Sequence, residues 1–416
     1  MKNILIINQY GSTPSTGFGG RTYYLAQALA RSNKVTIVYG SFHHLLRSDD
    51  HQISDVKFNH GDPFSINTLK LLRYSNSRSI LRIINWFIFS FKLCFLSRKN
   101  IGFQPTCIIY SSPALPGYLG AYILSRRFSC PLFIEVRDIW PLSIVALGRF
   151  SKNNVLVILL SQIEKFAYRT ADGVISNLYN LQNHISKSTG KITRFHFSPN
   201  GVVKNNSLIN KMSQGSEALG SILCELRKLQ SAGKTIVGYV GGLAPANAMD
   251  LLIDTALLAN DDSDLFFVIV GDGPERKRLE ARCAGLSLQN IQFYPGVLKL
   301  EVPLLLEAMH ILFLANQFKE IYSFGVSPIK LPEYLESKKP IVHVTNSRSL
   351  LDEFQCWEVV REYEPSAVIR SIYTLKNLPE SEKLQIGERV HKYTYMTLNY
   401  DSIGDSLISF LEDVNS

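Results

Sequence analysis

Five short stretches place charged side chains or glycines at junctions where an apolar run gives way to a helical pattern. Gly17-Phe18-Gly19-Gly20-Arg21 is the first. Glycines there let the backbone approach a ligand closely. The helix start that follows offers free N–H groups and the positive end of a dipole to a phosphate. A tight loop with no ligand fits the same residues. The spacing is not G-x-G-x-x-G, which disfavours a nicotinamide enzyme. Glu135-Val136-Arg137-Asp138-Ile139-Trp140-Pro141 sets three charges between a strand pattern and a proline stop. Arg137 could hold a phosphate, and Asp138 could stabilise a developing cation or act as a base. An Arg–Asp pair that only fixes the loop is the alternative.

The other three stretches lie in the second half. Gly238-Tyr239-Val240-Gly241-Gly242-Leu243 and Gly271-Asp272-Gly273-Pro274-Glu275-Arg276 both follow apolar runs. Two such turns at carboxyl strand ends favour a phosphate or nucleotide cradle, although each alone could be an ordinary turn. Ser327-Pro328-Ile329-Lys330-Leu331-Pro332-Glu333 reads as a helix start, with Ser327 as N-cap and Pro328 as first helical residue. Lys330 and Glu333 are three apart and share a helical face. A cation for phosphate and a carboxylate for ribose hydroxyls would suit a nucleoside diphosphate. A plain surface Lys–Glu pair has the same spacing.

The elements that must position these groups alternate along the chain. Strand patterns at 4–8, 35–39, 106–110, 131–136 and 173–176 are separated by helical ones at 21–31, 116–127 and 155–169. After a polar stretch, 204–234, the alternation restarts at 235–240 and runs through strands at 265–270, 291–294, 311–315 and 341–344. The helices between these strands fall at 249–259, 274–284, 301–309 and 328–337, and 380–413 reads as helical. Short apolar strands with helices between them predict parallel sheets covered on both faces. With 416 residues, the chain is expected to form two Rossmann-like α/β domains facing a central cleft. The expected boundaries are 1–205 and 206–390, with a last helix over 391–416 crossing back to the first domain.

Composition narrows the function classes. Residues 1–205 hold 24 lysines and arginines against 8 acids, and the remainder holds 20 against 27. A basic first half implies an anionic partner such as nucleic acid, a phospholipid surface or a lipid pyrophosphate, or else solvated charge with no partner. No aromatic–basic motif of a nucleic-acid binder is present. The six cysteines are scattered without C-x-x-C spacing, so neither a zinc site nor a disulfide framework is indicated. The N-terminal apolar run is too short for a signal peptide. Ile80–Leu96 is 17 residues of almost wholly apolar sequence. That falls short of the roughly 20 residues of a spanning helix. It reads as a core helix or an interfacial one, and the flanking Arg73, Arg78, Arg98 and Lys99 favour the interface, with Trp86, Phe87 and Phe89 facing lipid and acceptor.

Taken in order, GFGGR, EVRDIWPLSIVALG, ADGVISN, SPNGV, YVGGLAPANAMDLLIDTA, GDGPERKRLE and SPIKLPEYLESKKPIV resemble the family-4 retaining glycosyltransferases of the GT-B fold. The likeness is strongest to the bacterial branch that builds O-antigen and capsule repeat units, which includes N-acetylfucosamine transferases. The resemblance implies a second domain that binds a nucleotide sugar, with UDP the expected carrier, and a lipid-linked glycan as acceptor. It implies that Glu333, the later glutamate of an E-x7-E motif, holds the ribose. Lys330 and the backbone at Leu331 would meet the diphosphate. Gly273 and Phe293 would lie at the base, Gly19 and Gly20 would close over the phosphates, and Asp138 would face the transferring sugar. Three departures stand out. Gly325 takes the place of the earlier glutamate, with Glu320 nearby but out of register. The basic pair expected after the second domain's first strand is absent from Gly242–Ala248, so Lys330, Arg276 or Arg137 would have to supply its charge. Asp138 stands in the region where many members have a histidine.

The resulting expectation is retaining transfer onto an undecaprenyl-diphosphate-linked acceptor, without metal or other cofactor, at the cytoplasmic face of the plasma membrane. A nucleotide-sugar epimerase of the same architecture and a non-catalytic member of a glycan assembly complex are the rivals.

Overall fold

The computed structural model describes residues 1–14, 16, 20–44, 46, 63–75, 79–146, 150–203, 216–262 and 264–413. Gly19, expected at the phosphates, and Arg78 lie outside them. The chain divides into two compact units, residues 1–201 with 400–416, and residues 202–399.

Unit 1 contains β1 (Asn3–Asn8), α1 (Arg21–Leu29), β2 (Lys34–Gly40), β3 (Ser65–Leu69), α2 (Ile80–Cys94), α3 (Arg98–Ile101), β4 (Cys107–Ser111), α4 (Pro116–Phe128), β5 (Leu132–Val136), α5 (Leu142–Ala146), α6 (Val155–Thr170), β6 (Gly173–Ser176), α7 (Leu181–Thr189) and β7 (Phe195–Phe197). Its strands pair in parallel in the order β3-β2-β1-β4-β5-β6-β7. Unit 2 contains α8 (Glu217–Ser231), β8 (Thr235–Val240), α9 (Met249–Leu258), β9 (Leu265–Val270), α10 (Arg276–Gly285), β10 (Ile291–Tyr294), α11 (Val302–Glu307), β11 (Ile311–Ala315), α12 (Leu331–Glu336), β12 (Ile341–Val344), α13 (Leu350–Phe354), β13 (Glu358–Val360), α14 (Pro365–Asn377) and α15 (Glu380–Thr397). Its parallel order is β10-β9-β8-β11-β12-β13. Both sheets reverse winding direction beside their first strand. Doubly wound sheets bind ligands at that switch point, outside the carboxyl strand ends.

The central strands are buried on both faces, Ile4–Ile7 and Leu132–Val136 in unit 1 and Ile311–Ala315 in unit 2. This is why they read as continuous apolar runs rather than as alternations. The last helix, α16 (Tyr400–Glu412), belongs to unit 1, whereas residues 391–397 complete α15 in unit 2. Phe410 of α16 sits 5.7 Å from Phe133 and stacks on His196 at 5.0 Å. Gly404 lets α16 close on α1, since a Cβ there would come within 2.9 Å of the Ala28 Cβ.

Several local expectations are revised. Polar residues 204–234 are not all linker. Ser216 caps α8 by accepting from the Leu219 N–H, and Leu219, Ile222 and Leu226 bury one face of that helix. The helix expected from Pro328 starts at Leu331 with Lys330 at its cap, so Ser327 is not the N-cap. α2 is two-faced. Trp86 and Phe89 are buried with Asn85 and Leu93, against α4 and the core around Trp140 and Ile163. Gly120 of α4 permits this packing, because a Cβ there would lie 2.2 Å from the Ser90 carbonyl oxygen. Trp86 and Phe89 therefore cannot be lipid-facing residues. Phe87 is exposed, in line with Ile80, Ile84, Phe91 and Phe95. Spacings of four, three, four and four keep those five on one side of a helix. Among the described residues no helix is long and apolar enough to cross a membrane.

Candidate functional site

In unit 2 the carboxyl ends of β8 and β9 meet backbone to backbone. Gly241 and Gly271 have φ of +151° and +154°, a region that favours glycine. A Cβ on Gly271 would fall 1.9 Å from the Gly241 carbonyl oxygen, and one on Gly273 would fall 2.3 Å from that of Leu243. Hydrogen bonds close the pair of turns, Leu243 N–H to Asp272 O at 2.9 Å and Glu275 N–H to Leu243 O at 3.2 Å. Gly242 differs from these, with its nearest neighbour 3.9 Å from a notional Cβ.

Lys330 lies on this turn. A Cβ at Gly241 would be 1.9 Å from the Lys330 Cε. The ammonium sits 4.9 Å from the Tyr239 ring centroid, a cation–π distance. It donates to no acceptor among the described residues. Burial holds its pKa down to about 8, with Lys299 pushing the same way and Glu333 opposing. A half-buried ammonium beside bare backbone is an arrangement that an anion could occupy. Tyr334 of α12 fixes this arrangement from below, its hydroxyl accepting from Val240 N–H at 2.9 Å.

Glu333, in the first turn of α12, is ion-paired through Oε1 to Lys299 in the loop after β10. Leu331 is buried, and its N–H is donated to Pro328 O at 3.1 Å, so it is not a free donor for a diphosphate. Ser327 stays within the loop that precedes α12. Phe293 packs against the unit 2 core rather than standing free. Arg276 is engaged by the protein. Its Nη1 donates to Gly271 O, Asp272 Oδ1 and Tyr294 O at 3.0, 2.8 and 3.0 Å, and its Nε to Glu280 at 2.8 Å. Through Nη1 and Nε it ties the β9 turn to β10. Glu333 also lines a groove of about 780 Å³ that extends to Thr235, Ile311 and Pro340 at the amino ends of the strands, away from the glycine turns.

In unit 1 most of the charge at the carboxyl edge is internal. The buried pair is not Arg–Asp within one loop. It joins Arg21 at the start of α1 to Glu135 at the end of β5, at 2.7 Å. Ser111 Oγ donates to Glu135 at 2.5 Å, and Arg21 also donates to Ser198 Oγ at 2.6 Å and to the Pro199 carbonyl. Burial pushes the Glu135 pKa up, but Arg21, Arg137 and the hydrogen bonds bring it below the usual carboxylate range. Asp138 accepts from Trp140 Nε1 at 3.0 Å and from Ser143 Oγ, which fixes its own loop while leaving the residue exposed. Arg137 is half-buried, and its Nε has no acceptor among the described residues. Gln9 Oε1 and Asn177 Oδ1, after β1 and β6, are likewise buried without a partner. Gly20 caps α1 with open space on its Cα.

Residues 225–392, all within unit 2, match the family model described as Glycosyl transferases group 1. The match covers most of unit 2 and less than half of the chain. No curated protein is a significant sequence match. Among solved structures, Anabaena HepE, crystallised with UDP and glucose, is similar at 16% identity and a TM-score of 0.63, covering 99% of this chain and 100% of that one. Sucrose-phosphate synthase from Thermosynechococcus elongatus is similar at 13% and 0.67, with 100% and 99% covered. WaaG, a glycosyltransferase involved in lipopolysaccharide biosynthesis, is similar at 13% and 0.60, with 98% and 99% covered. The fold of the chain is GT-B, with two parallel-sheet Rossmann-like units.

Within unit 2 the structure brings Lys330 onto the Gly241 turn and packs Gly273 on Leu243, while Lys299 was not singled out from the sequence. Nothing in a local pattern links residues 299 and 333. Their contact depends on β10 lying two strands from β8 and on a short turn after it.

Gly241→Ala should therefore destabilise the protein by about 1–3 kcal/mol, through backbone strain and overlap with Lys330. Gly242→Ala, which meets nothing closer than 3.9 Å, should stay near wild type. Urea unfolding of the two variants checks the contrast.

Proposed function

We propose that the protein is a retaining glycosyltransferase of the family-4 type that moves a sugar from a UDP-linked donor to an undecaprenyl-diphosphate-linked glycan, in O-antigen or capsule assembly. The observation that carries this reading is the Lys330 ammonium lying on the Gly241 turn beside Glu333, inside a domain that matches the group 1 glycosyltransferases. In this reading Lys330 binds the donor diphosphate and Glu333 accepts the ribose hydroxyls. Glycosyl transfer leaves charge on the β-phosphate, so catalysis comes chiefly from fixed positive groups placed where that charge develops. The UDP complex of the similar HepE structure supports the choice of nucleotide. The catalytic roles expected for Arg137, whose Nε has no acceptor among the described residues, and for Asp138, exposed at its loop end, are part of this proposal.

The acceptor lipid implies a membrane surface, and the peripheral, cytoplasmic-face placement is part of the same proposal. The exposed side of α2 carries Ile80, Ile84, Phe87, Phe91 and Phe95, with exposed Arg73, Arg98 and Lys99 near its ends. An apolar stripe with flanking cations fits the headgroup boundary of an anionic bilayer.

Three outcomes are expected. Glu333→Ala should weaken UDP binding by about tenfold or more, consistent with loss of a charged hydrogen bond. Calorimetry checks this, and an unchanged affinity would remove Glu333 from the donor site. UDP affinity should be flat near neutral pH and fall as pH rises through about 8, because Lys330 loses its charge there and a bound diphosphate favours the protonated form. Lys330→Arg, whose guanidinium does not titrate in this range, should flatten the profile. Finally, Phe87 and Phe91 changed together to serine should shift protein from sedimented anionic vesicles to the supernatant, with the melting temperature unchanged. Partition equal to wild type would rule out α2 as the docking face.

A further inference from the structure

The resemblance leaves unit 2 one cation short, since the stretch after β8 reads Gly242 to Ala248 with no lysine or arginine. Arg276 is committed in part to the protein, its Nη1 to Gly271, Asp272 and Tyr294 and its Nε to Glu280. Lys299 has the required position. It projects from the turn between β10 and α11, its side chain is 59% exposed, and it reaches Glu333 Oε1. Glu333 Oε2 has no protein partner among the described residues and stays available as an acceptor. Lys330, on the same short helix start as Glu333, feels the charge of Lys299 as a repulsion and that of Glu333 as an attraction.

We propose, resting on the donor-site reading above, that Lys299 is a second recognition residue for the nucleoside diphosphate. It holds one oxygen of Glu333 in place, leaves the other for a ribose hydroxyl, and shares the diphosphate charge with Lys330. Two ammoniums facing one carboxylate leave a net positive site, which a nucleoside monophosphate fills less completely than a diphosphate and a nucleoside does not neutralise at all. Lys299 is thus both a positioning residue, acting through Glu333, and a direct partner of the phosphates.

Calorimetric titration of the full chain with UDP, UMP and uridine separates these roles. In Lys299→Met, UDP affinity should fall about tenfold or more, UMP affinity by less, and uridine affinity by only a few-fold. Lys299→Arg should restore most of the loss, since it keeps the charge and the bond to Glu333. The salt dependence of UDP binding should be shallower in Lys299→Met than in wild type. UDP affinity within twofold of wild type in Lys299→Met would overturn the proposal. So would equal losses for UDP and uridine without recovery in Lys299→Arg, the pattern of a purely structural residue. Wild-type protein that bound none of the three would remove the nucleotide reading itself. UDP binding to wild type and Lys299→Met alike would remove Lys299 alone.

Discussion

The contact between two bare turns governs unit 2. Gly271 packs on the carbonyl of Gly241, and Gly273 packs on that of Leu243, at separations no side chain could share. This closeness makes the carboxyl edge of β8 and β9 a surface of backbone, where a phosphate can come near. It also forbids a cation from growing out of the turns themselves. The positive charge must be brought from another element, and α12 brings it. Lys330 lies on Gly241, where only a glycine leaves room for its Cε. Partial desolvation of that ammonium is unfavourable and lowers its pKa, while the Tyr239 ring face offers it a favourable contact. An anionic ligand would stabilise its charge further.

Unit 1 solves the same architectural problem with charge instead of glycine. Arg21 and Glu135, both nearly inaccessible, join the start of α1 to the ends of β5 and β7 through Ser111, Ser198 and Pro199. Such a pair is strongly destabilising to break from one side, because the remaining ion is left buried. It holds the ends of four elements, α1, β4, β5 and β7, in register without presenting charge to solvent. Asp138 is similarly drawn into its loop by Trp140 and Ser143. Arg137 is left with an unsatisfied buried nitrogen.

Much of the fold was legible because buried parallel strands announce themselves. The strands at 173–176, 235–240, 265–270, 291–294, 311–315 and 341–344 fall where their apolar runs fall. The elements that escaped were those whose signal depends on tertiary partners. β3 is a polar edge segment, SINTL, and α8 lies in a stretch polar enough to pass for a linker until Leu219, Ile222 and Leu226 are seen on one face. α2 showed its apolarity but not its orientation. A helix that is apolar all round does not say which side meets the core, and Gly120 in α4 decides it. For the candidate site, glycine turns and the Lys330–Glu333 spacing were visible locally. The capture of Arg276, the cap at Lys330 instead of Ser327, and the Lys299–Glu333 pair all required distant segments to meet.

Gly325 carries the last consequence. The family pattern places a glutamate there, and the simplest account would be one lost side chain. The backbone disagrees, since φ and ψ at Gly325 are 126° and 147°, in a region almost restricted to glycine. A glutamate would have to leave that conformation or bear a strain of about 1–3 kcal/mol, so the turn over 320–325 as it stands here is suited to glycine. Without that carboxylate, the charge balance around the first turn of α12 tilts positive, with Lys299 and Lys330 set against Glu333. A neutral ligand gains nothing from that excess and a doubly charged one gains most. In the proposed donor site, the lack of a carboxylate at Gly325 and the half-buried Lys330 would act in the same direction, a surplus of positive charge that suits a diphosphate.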